Sequence, residues 1–428
     1  MKVLLVGNGG REHALAWKLL QSQRIEQVFC VPGNGGTARM QRCQNLQLSM
    51  DDFEGIGRFA LGNGISLVVV GPELPLALGI TDYLQRQGLM VFGPTKAGAM
   101  IETSKSWAKA LMQEARIPTA QATVFTEAEA AKSYVRAQGV PIVVKADGLA
   151  AGKGVTVAAT VEQAKDAIDA IFQGQFGKRA GKFAVIEECL TGQEVSVLAL
   201  TDGLTIRPLL PAQDYKRIGE GDTGENTGGM GACAPVPLSP ELKARIETEV
   251  LTRAIASLRA RGIDYRGVLY AGLMLLPNGD FKVLEFNCRF GDPETQVILP
   301  LLETPLEELL IACAQQRLSD LPPIDWKIGG AAVCVVLAAG GYPQAYQRGQ
   351  VITGIAEAEA LGAVGFHAGT QLQQQQLVTD GGRVLGVTGL GETFEQAITL
   401  AYTASNCIRF EGMYYRRDIG YRIKAIGN

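Results

Sequence analysis

The stretch VLEFNCRFGDPE, residues 283–294, sets an acid, an amide and a cation two positions apart along an apolar run. Read as a strand, it places Glu285, Asn287 and Arg289 on one face with Val283 beside them. Leu284, Phe286 and Cys288 then pack on the other face. Two oxygen donors suit a divalent cation bridging phosphates, and Arg289 adds a fixed cation for a phosphoryl group in transfer. The competing reading is a structural ion pair on a strand. Two lysines and a glycine-rich loop upstream weigh against it.

That loop lies in IVVKADGLAAGKGV, residues 142–155. Lys145 ends a predicted strand, and Gly148, Gly152 and Gly154 make a flexible loop carrying Lys153. The pattern GxxxxGK[ST] is not matched, because Gly154 follows Lys153. A glycine-rich hairpin with two lysines still suits closure over a polyphosphate; a solvated hairpin is the alternative. In VIEECLTGQE, residues 185–194, Glu187 and Glu188 end a strand and Glu194 follows. These carboxylates either accept from adenine-side or ribose donors or are edge-strand charges.

Near the N-terminus, VGNGGREHA (residues 6–14) follows the first predicted strand and opens a helix. It fails as a dinucleotide fingerprint. Gly7 and Gly9 fit, but Glu12 takes the third glycine position, and no acid ends the second strand near Pro32. The backbone N–H groups of Gly9, Gly10 and Arg11 at a helix start make an anion site, unless the turn is only a tight structural one. VVGPE, residues 69–73, repeats this geometry on the same sheet edge. His13 and His367 read as structural, with His13 also placed to assist an anion.

Bulk properties narrow the classes. The chain has 428 residues, 47% apolar and 19% charged, with net charge −3. That describes a globular chain of two to four domains and argues against a general nucleic-acid binder. Its eight cysteines form no CxxC pair and read as buried thiols of a reducing compartment. Two histidines disfavour a histidine metal centre. The first apolar run is too short for a signal peptide, and no run approaches a membrane span, so a cytoplasmic location and no membrane partner are expected.

Apolar strands at 2–7, 27–32, 66–71 and 89–93 alternate with helical patterns at 12–21, 53–61 and 76–87. They predict a parallel α/β domain over 1–102. A helix over 104–116 follows, with Thr103 or Ser104 as N-cap and Pro118 as its stop. A central domain over 103–323 contains a smaller lobe at about 120–192, a helix near 162–172, a loop at 213–234 and a long helix over 240–261. A boundary at 321–326 precedes a β-rich unit over 324–428.

Lys105, Lys145, the loop 148–154, residues 187–194 and EFNCR together resemble the ATP-grasp superfamily. More narrowly, GNGGREHALAWK, QDYKR, NTGGMGA, YAGLM, EFNCRFGDPETQ, AAGGYP, FHAGT and RDIGYR resemble the phosphoribosylamine–glycine ligase family across essentially the whole chain. The resemblance implies a multidomain α/β and α+β fold: an N-terminal Rossmann-like domain, an ATP-grasp domain in two lobes and a β-rich C-terminal domain. It implies that ATP phosphorylates the carboxylate of glycine and that 5-phosphoribosylamine then attacks, giving glycinamide ribonucleotide in purine synthesis.

By the same resemblance, Lys105 and Lys145 hold ATP phosphates under the loop of Gly152, Lys153 and Gly154. Glu187, Glu188 and Leu190 meet adenine, Glu194 takes the ribose, and Glu285 and Asn287 bind Mg²⁺ or Mn²⁺. The turn of Gly9, Gly10, Arg11 and Glu12 receives the substrate's ribose phosphate. Asp214, Lys216, Arg217 and Asp292 contact substrate, and Arg289, Lys145 and Asp292 form the catalytic set. The expected partners are these small molecules alone, and the expected state is a monomer, with a dimer as the alternative. One departure from the superfamily is the lack of an acid near Leu273, where a second metal carboxylate is common. Other readings are a carboxylase of the same superfamily, a nicotinamide-dependent oxidoreductase and a non-catalytic nucleotide module.

Overall fold

The computed structural model describes residues 1–149, 154–177 and 182–426. Its N-terminal sheet is parallel throughout, in the order Cys43–Asn45, Gln27–Pro32, Lys2–Gly7, Leu67–Val70, Val91–Phe92. The unbroken apolar runs follow from burial on both faces. Leu4 and Val6 enter one core while Val3 and Leu5 enter another. Strand order reverses between Lys2–Gly7 and Leu67–Val70. The turns at 7–10 and 71–73 therefore meet at the switch point, where such sheets place ligands.

The helix predicted over 76–87 is two helices, Glu73–Leu78 and Ile80–Arg86. Gly79 between them has φ +95°, a left-handed conformation that ends the first helix. The long helix over 240–261 is likewise interrupted. Pro240–Ile246 runs into a π turn, Glu247–Thr252, before Arg253–Ala260 resumes, and the wide turn carries Val250 and Leu251 into the core.

The smaller lobe is an antiparallel sheet in the order Ala122–Phe125, Ala184–Glu188, Ile142–Ala146, Val155–Ala158. Helices Ala128–Gln138 and Val161–Phe172 pack on it to form a separate core. Ala184–Glu188 is interior, so Glu187 and Glu188 are not edge-strand charges. The larger lobe is antiparallel in the order Ile206–Pro208, Gln193–Thr201, Gly267–Leu275, Phe281–Asn287.

The C-terminal sheet runs Gln213–Asp214, Gly231–Ala234, Ala331–Ala338, Arg383–Gly391, Val364–His367. Its first two strands come from the glycine-rich segment before the long helix. This exchange of strands brings Asp214 and Arg383 onto one sheet. All eight cysteines are free, but Cys43, Cys189 and Cys407 are partly exposed, which corrects the expectation of eight buried thiols. Among the described residues, no helix is long and apolar enough to cross a membrane.

Candidate active site

A cleft of about 1100 Å³ gathers residues from the sheets of both central lobes and the C-terminal sheet, and from the turns that follow two strands of the N-terminal sheet. Its floor is the strand Phe281–Asn287. The ladder to Gly267–Leu275 slips here: Glu285 faces Gly272, whereas Val283 faces Leu273. The slip breaks simple alternation. Val283 is buried in one core with Phe286 and Cys288, while Leu284 lines the cleft. Val283 therefore does not share the site face, but Glu285 and Asn287 keep it.

Lys216 Nζ lies 3.4 Å from Glu285 Oε1 and 3.1 Å from Glu194 Oε2. Burial opposes ionisation of Glu285. Lys216, Lys145 and Lys105 outweigh it and hold the carboxyl down at about 2. Asn287 Oδ1 accepts from Arg289 Nη2 at 3.2 Å. Arg289, just past the strand end, also reaches Glu102 at 2.9 Å and Glu73 at 3.3 Å.

Ser104 caps the helix Lys105–Glu114 by accepting the Trp107 N–H at 3.2 Å. Lys105 Nζ donates to Gly148 O at 2.9 Å. Lys109 lies one helical turn further on, and its Nζ is 3.2 Å from Glu187 Oε1. Burial draws the Lys109 pKa down to about 8 against the pull of Glu187. Lys145 Nζ meets Glu187 Oε2 at 2.9 Å and donates to Leu284 O at 3.1 Å. The Glu187 carboxylate is thus an interior counter-ion between two lysines, and it is not turned toward a nucleotide's donors. Glu188 pairs with Lys282 and accepts the Gln121 N–H at 2.9 Å. Gly154 and Leu190 line the cleft, and Gly152 and Lys153 lie outside the described residues.

At the N-terminal turn, Glu12 folds back and accepts from Gly9 N at 2.6 Å and from Arg11 Nε at 2.5 Å. Two glycines make room for it. A Cβ on Gly71 would lie 2.0 Å from Glu12 Oε1, and one on Gly7 would lie 2.4 Å from its Cγ. The Arg11 N–H donates to Asp292 Oδ2 at 3.2 Å. The amides of Gly9 and Arg11, expected to be open to an anion, are therefore held by carboxylates. Gly10 faces Gln296 and not the cleft: a Cβ there would lie 2.6 Å from Gln296 Nε2.

Asp292 also accepts from Gln296 at 2.9 Å and lies 3.3 Å from Arg383 Nη1. Burial opposes its charge, but Arg383 and Arg11 pull its pKa below the usual range. Asp214 behaves oppositely. Burial, then the nearby Glu294, push its carboxyl well up, and its Oδ1 has no hydrogen-bond partner among the described residues. Glu294 accepts from Ser196 Oγ at 2.9 Å and from the Tyr270 hydroxyl. Arg217 lines the cleft and donates to Gly224 O at 2.7 Å. His13 is not at the cleft; its Nδ1 accepts the His367 N–H at 2.7 Å, joining the first helix to the C-terminal sheet.

Sequence reasoning missed Glu73, Glu102, Lys109, Glu294 and Arg383. Lys109 had a signal, four residues after Lys105 on one helical face. Glu294 stands two residues after Asp292. Arg383 follows an ordinary turn, and only tertiary packing brings its strand to the loop that carries Asp292.

Cations that converge on this cleft from separate sheets can neutralise a polyphosphate. The class of protein comes from comparison with known families, which finds an ATP-grasp domain around this cleft. The phosphoribosylglycinamide synthetase models match in three parts: the N domain over 1–102, the ATP-grasp (A) domain over 103–295 and the C domain over 332–422. The chain is 76% identical over 427 residues to the phosphoribosylamine–glycine ligase of Nostoc sp., covering 99% of this chain and 100% of that one. It is 56% identical over 423 residues to that of Synechocystis sp., with 99% and 100% covered. The crystal structure of phosphoribosylamine–glycine ligase from Thermotoga maritima superposes with a TM-score of 0.84 at 36% identity, covering 98% of this chain and 100% of that one. The chain belongs to the phosphoribosylglycinamide synthetase family, whose members are ligases forming a C–N bond.

Proposed function

We propose that this chain joins glycine to 5-phosphoribosylamine through glycyl phosphate, giving glycinamide ribonucleotide, ADP and phosphate in de novo purine biosynthesis. The observation that carries this reading is the cation cluster around Glu285, with Arg289 fixed at the end of its strand. A carboxylate is a poor acceptor for an amine, and an acyl phosphate is a good one. A carboxylate oxygen of glycine attacks the γ-phosphorus, and ADP leaves. The amine nitrogen then attacks the carbonyl carbon. The bond from carbon to the phosphate oxygen breaks, and the nitrogen loses a proton.

Lys105 and Lys145 hold the phosphates, with Gly152, Lys153 and Gly154 in the closing loop. Arg289 meets the phosphoryl group in transfer. Positioning and charge neutralisation supply the catalysis. Backbone at Glu187 and Leu190 meets adenine beside Glu188, and the Glu194 carboxylate takes the ribose after exchanging Lys216. The ribose phosphate docks at the turn of Gly9, Arg11 and Glu12, where it replaces Asp292 at the Arg11 amide. Asp214, Lys216, Arg217 and Asp292 contact glycine and the amine.

Glu285 and Asn287 fit a hard divalent cation, since one is held ionised and the other offers an amide oxygen. They would hold Mg²⁺ or Mn²⁺, which when bound offsets charge on the phosphate oxygens. Among the described residues, no three acids, histidines or cysteines gather into a protein cage, so other oxygens would have to complete the coordination. The test is ADP release with ATP, glycine and fresh phosphoribosylamine, omitting one at a time. Release is expected only with all three; equal release without glycine would overturn the reading.

A further inference from the structure

Glu102 lies on the short helix Met100–Thr103, directly before the Ser104 cap of the Lys105 helix. Both its oxygens are engaged, and by consecutive residues. Oε2 accepts the Cys288 N–H at 2.8 Å, and Oε1 accepts from Arg289 Nη2 at 2.9 Å. The carboxylate thus clips backbone and guanidinium together where the chain leaves the strand Phe281–Asn287. Its side chain is only 7% exposed. A carboxylate this deep is tolerated because a cation and an amide satisfy it.

Glu73 holds the other edge of the guanidinium from the N-terminal domain, Oε2 to Nε, at 3.3 Å. The two acids differ in depth and reach. Glu73 is the more exposed, at 30%, and makes the longer contact. Glu102 is tied to the backbone beside Arg289 as well as to its side chain, so it fixes where the guanidinium sits relative to Asn287. A long arginine side chain left free would lose that orientation to rotamer entropy.

We propose that Glu102 is a positioning residue of the ligation, holding Arg289 at the end of the Glu285–Asn287 strand in the orientation that meets the transferring phosphoryl group. The inference rests on the role given to Arg289 above. A purely structural Glu102 would instead tie residues 100–104 to the larger lobe and affect folding alone.

A double-mutant cycle in the full chain separates these, with Glu102→Gln, Arg289→Gln and the pair. Glu102→Gln should lower kcat roughly tenfold or more while the KM for ATP stays within about twofold, and Arg289→Gln should lower kcat further. The pair should be no slower than Arg289→Gln alone, because the effect of Glu102 passes through Arg289. A normal kcat in Glu102→Gln, or losses that multiply in the pair, would overturn the proposal. A normal kcat in Arg289→Gln would overturn the premise with it, and so shows which of the two failed. Glu102→Asp keeps the charge and withdraws the oxygens by one methylene. Taken through the same cycle, it gives the reading if Glu102→Gln does not fold.

Discussion

The Glu187 carboxylate holds the Lys145 ammonium at 2.9 Å from the interior strand of the smaller lobe. Its other oxygen holds Lys109, so one buried acid sets two lysines in the wall of the cleft. Glu187→Gln leaves both cations buried with a neutral partner. The expected cost is ~3 kcal/mol of stability, and the KM for ATP should rise roughly tenfold or more. Urea unfolding and initial rates measure both. An unchanged ATP KM would separate Glu187 from nucleotide binding.

Glu285→Gln removes the ionised oxygen donor of the floor and the acid that Lys216 faces. Turnover should fall by roughly two orders of magnitude or more while circular dichroism stays normal. Near-normal turnover at limiting Mg²⁺ would remove Glu285 from the metal site.

The two histidines give a clean pH prediction. Burial, then Arg39, draw the His367 pKa down to about 4, and burial, then His367, lower that of His13. The folded chain holds both neutral while the unfolded chain takes up protons near the ordinary value of about 6.5. Their contribution to stability is therefore complete above pH 6.5 and is lost as pH falls below it, that of His367 down to about 4. Ring-proton NMR should show neither histidine titrating near pH 6.5. A midpoint there would show that the ring is open to water.

Much of this was legible in the residues. Apolar runs over 2–7 and 27–32 could only be strands buried on both faces, and the spacing of Glu285, Asn287 and Arg289 placed them together. What stayed hidden depended on neighbours distant in sequence. Nothing near Val283 shows that its strand slips against Gly272 and Leu273. Glu187 reads as a ligand until Lys109 is seen to occupy it. Glu12 was seen to block a pyrophosphate. Its hold on the Gly9 amide depends on space that Gly71 leaves from another strand.

That space carries its own test. Gly71→Ala would put a Cβ 2.0 Å from Glu12 Oε1 and push Glu12 off Gly9 and Arg11. The KM for phosphoribosylamine should rise several-fold, with the KM for ATP nearly unchanged because the proposed ATP site lies in the central domain. A rise confined to ATP would place the two ligands the other way round.

The glycyl phosphate route is tested most directly by following the glycine oxygens. Glycine labelled with oxygen-18 in its carboxylate is turned over with ATP and phosphoribosylamine, and the released phosphate is examined by mass spectrometry. If a carboxylate oxygen attacks the γ-phosphorus and the amine later displaces it, each phosphate carries one glycine oxygen. Unlabelled phosphate, formed together with glycinamide ribonucleotide, would contradict the acyl phosphate.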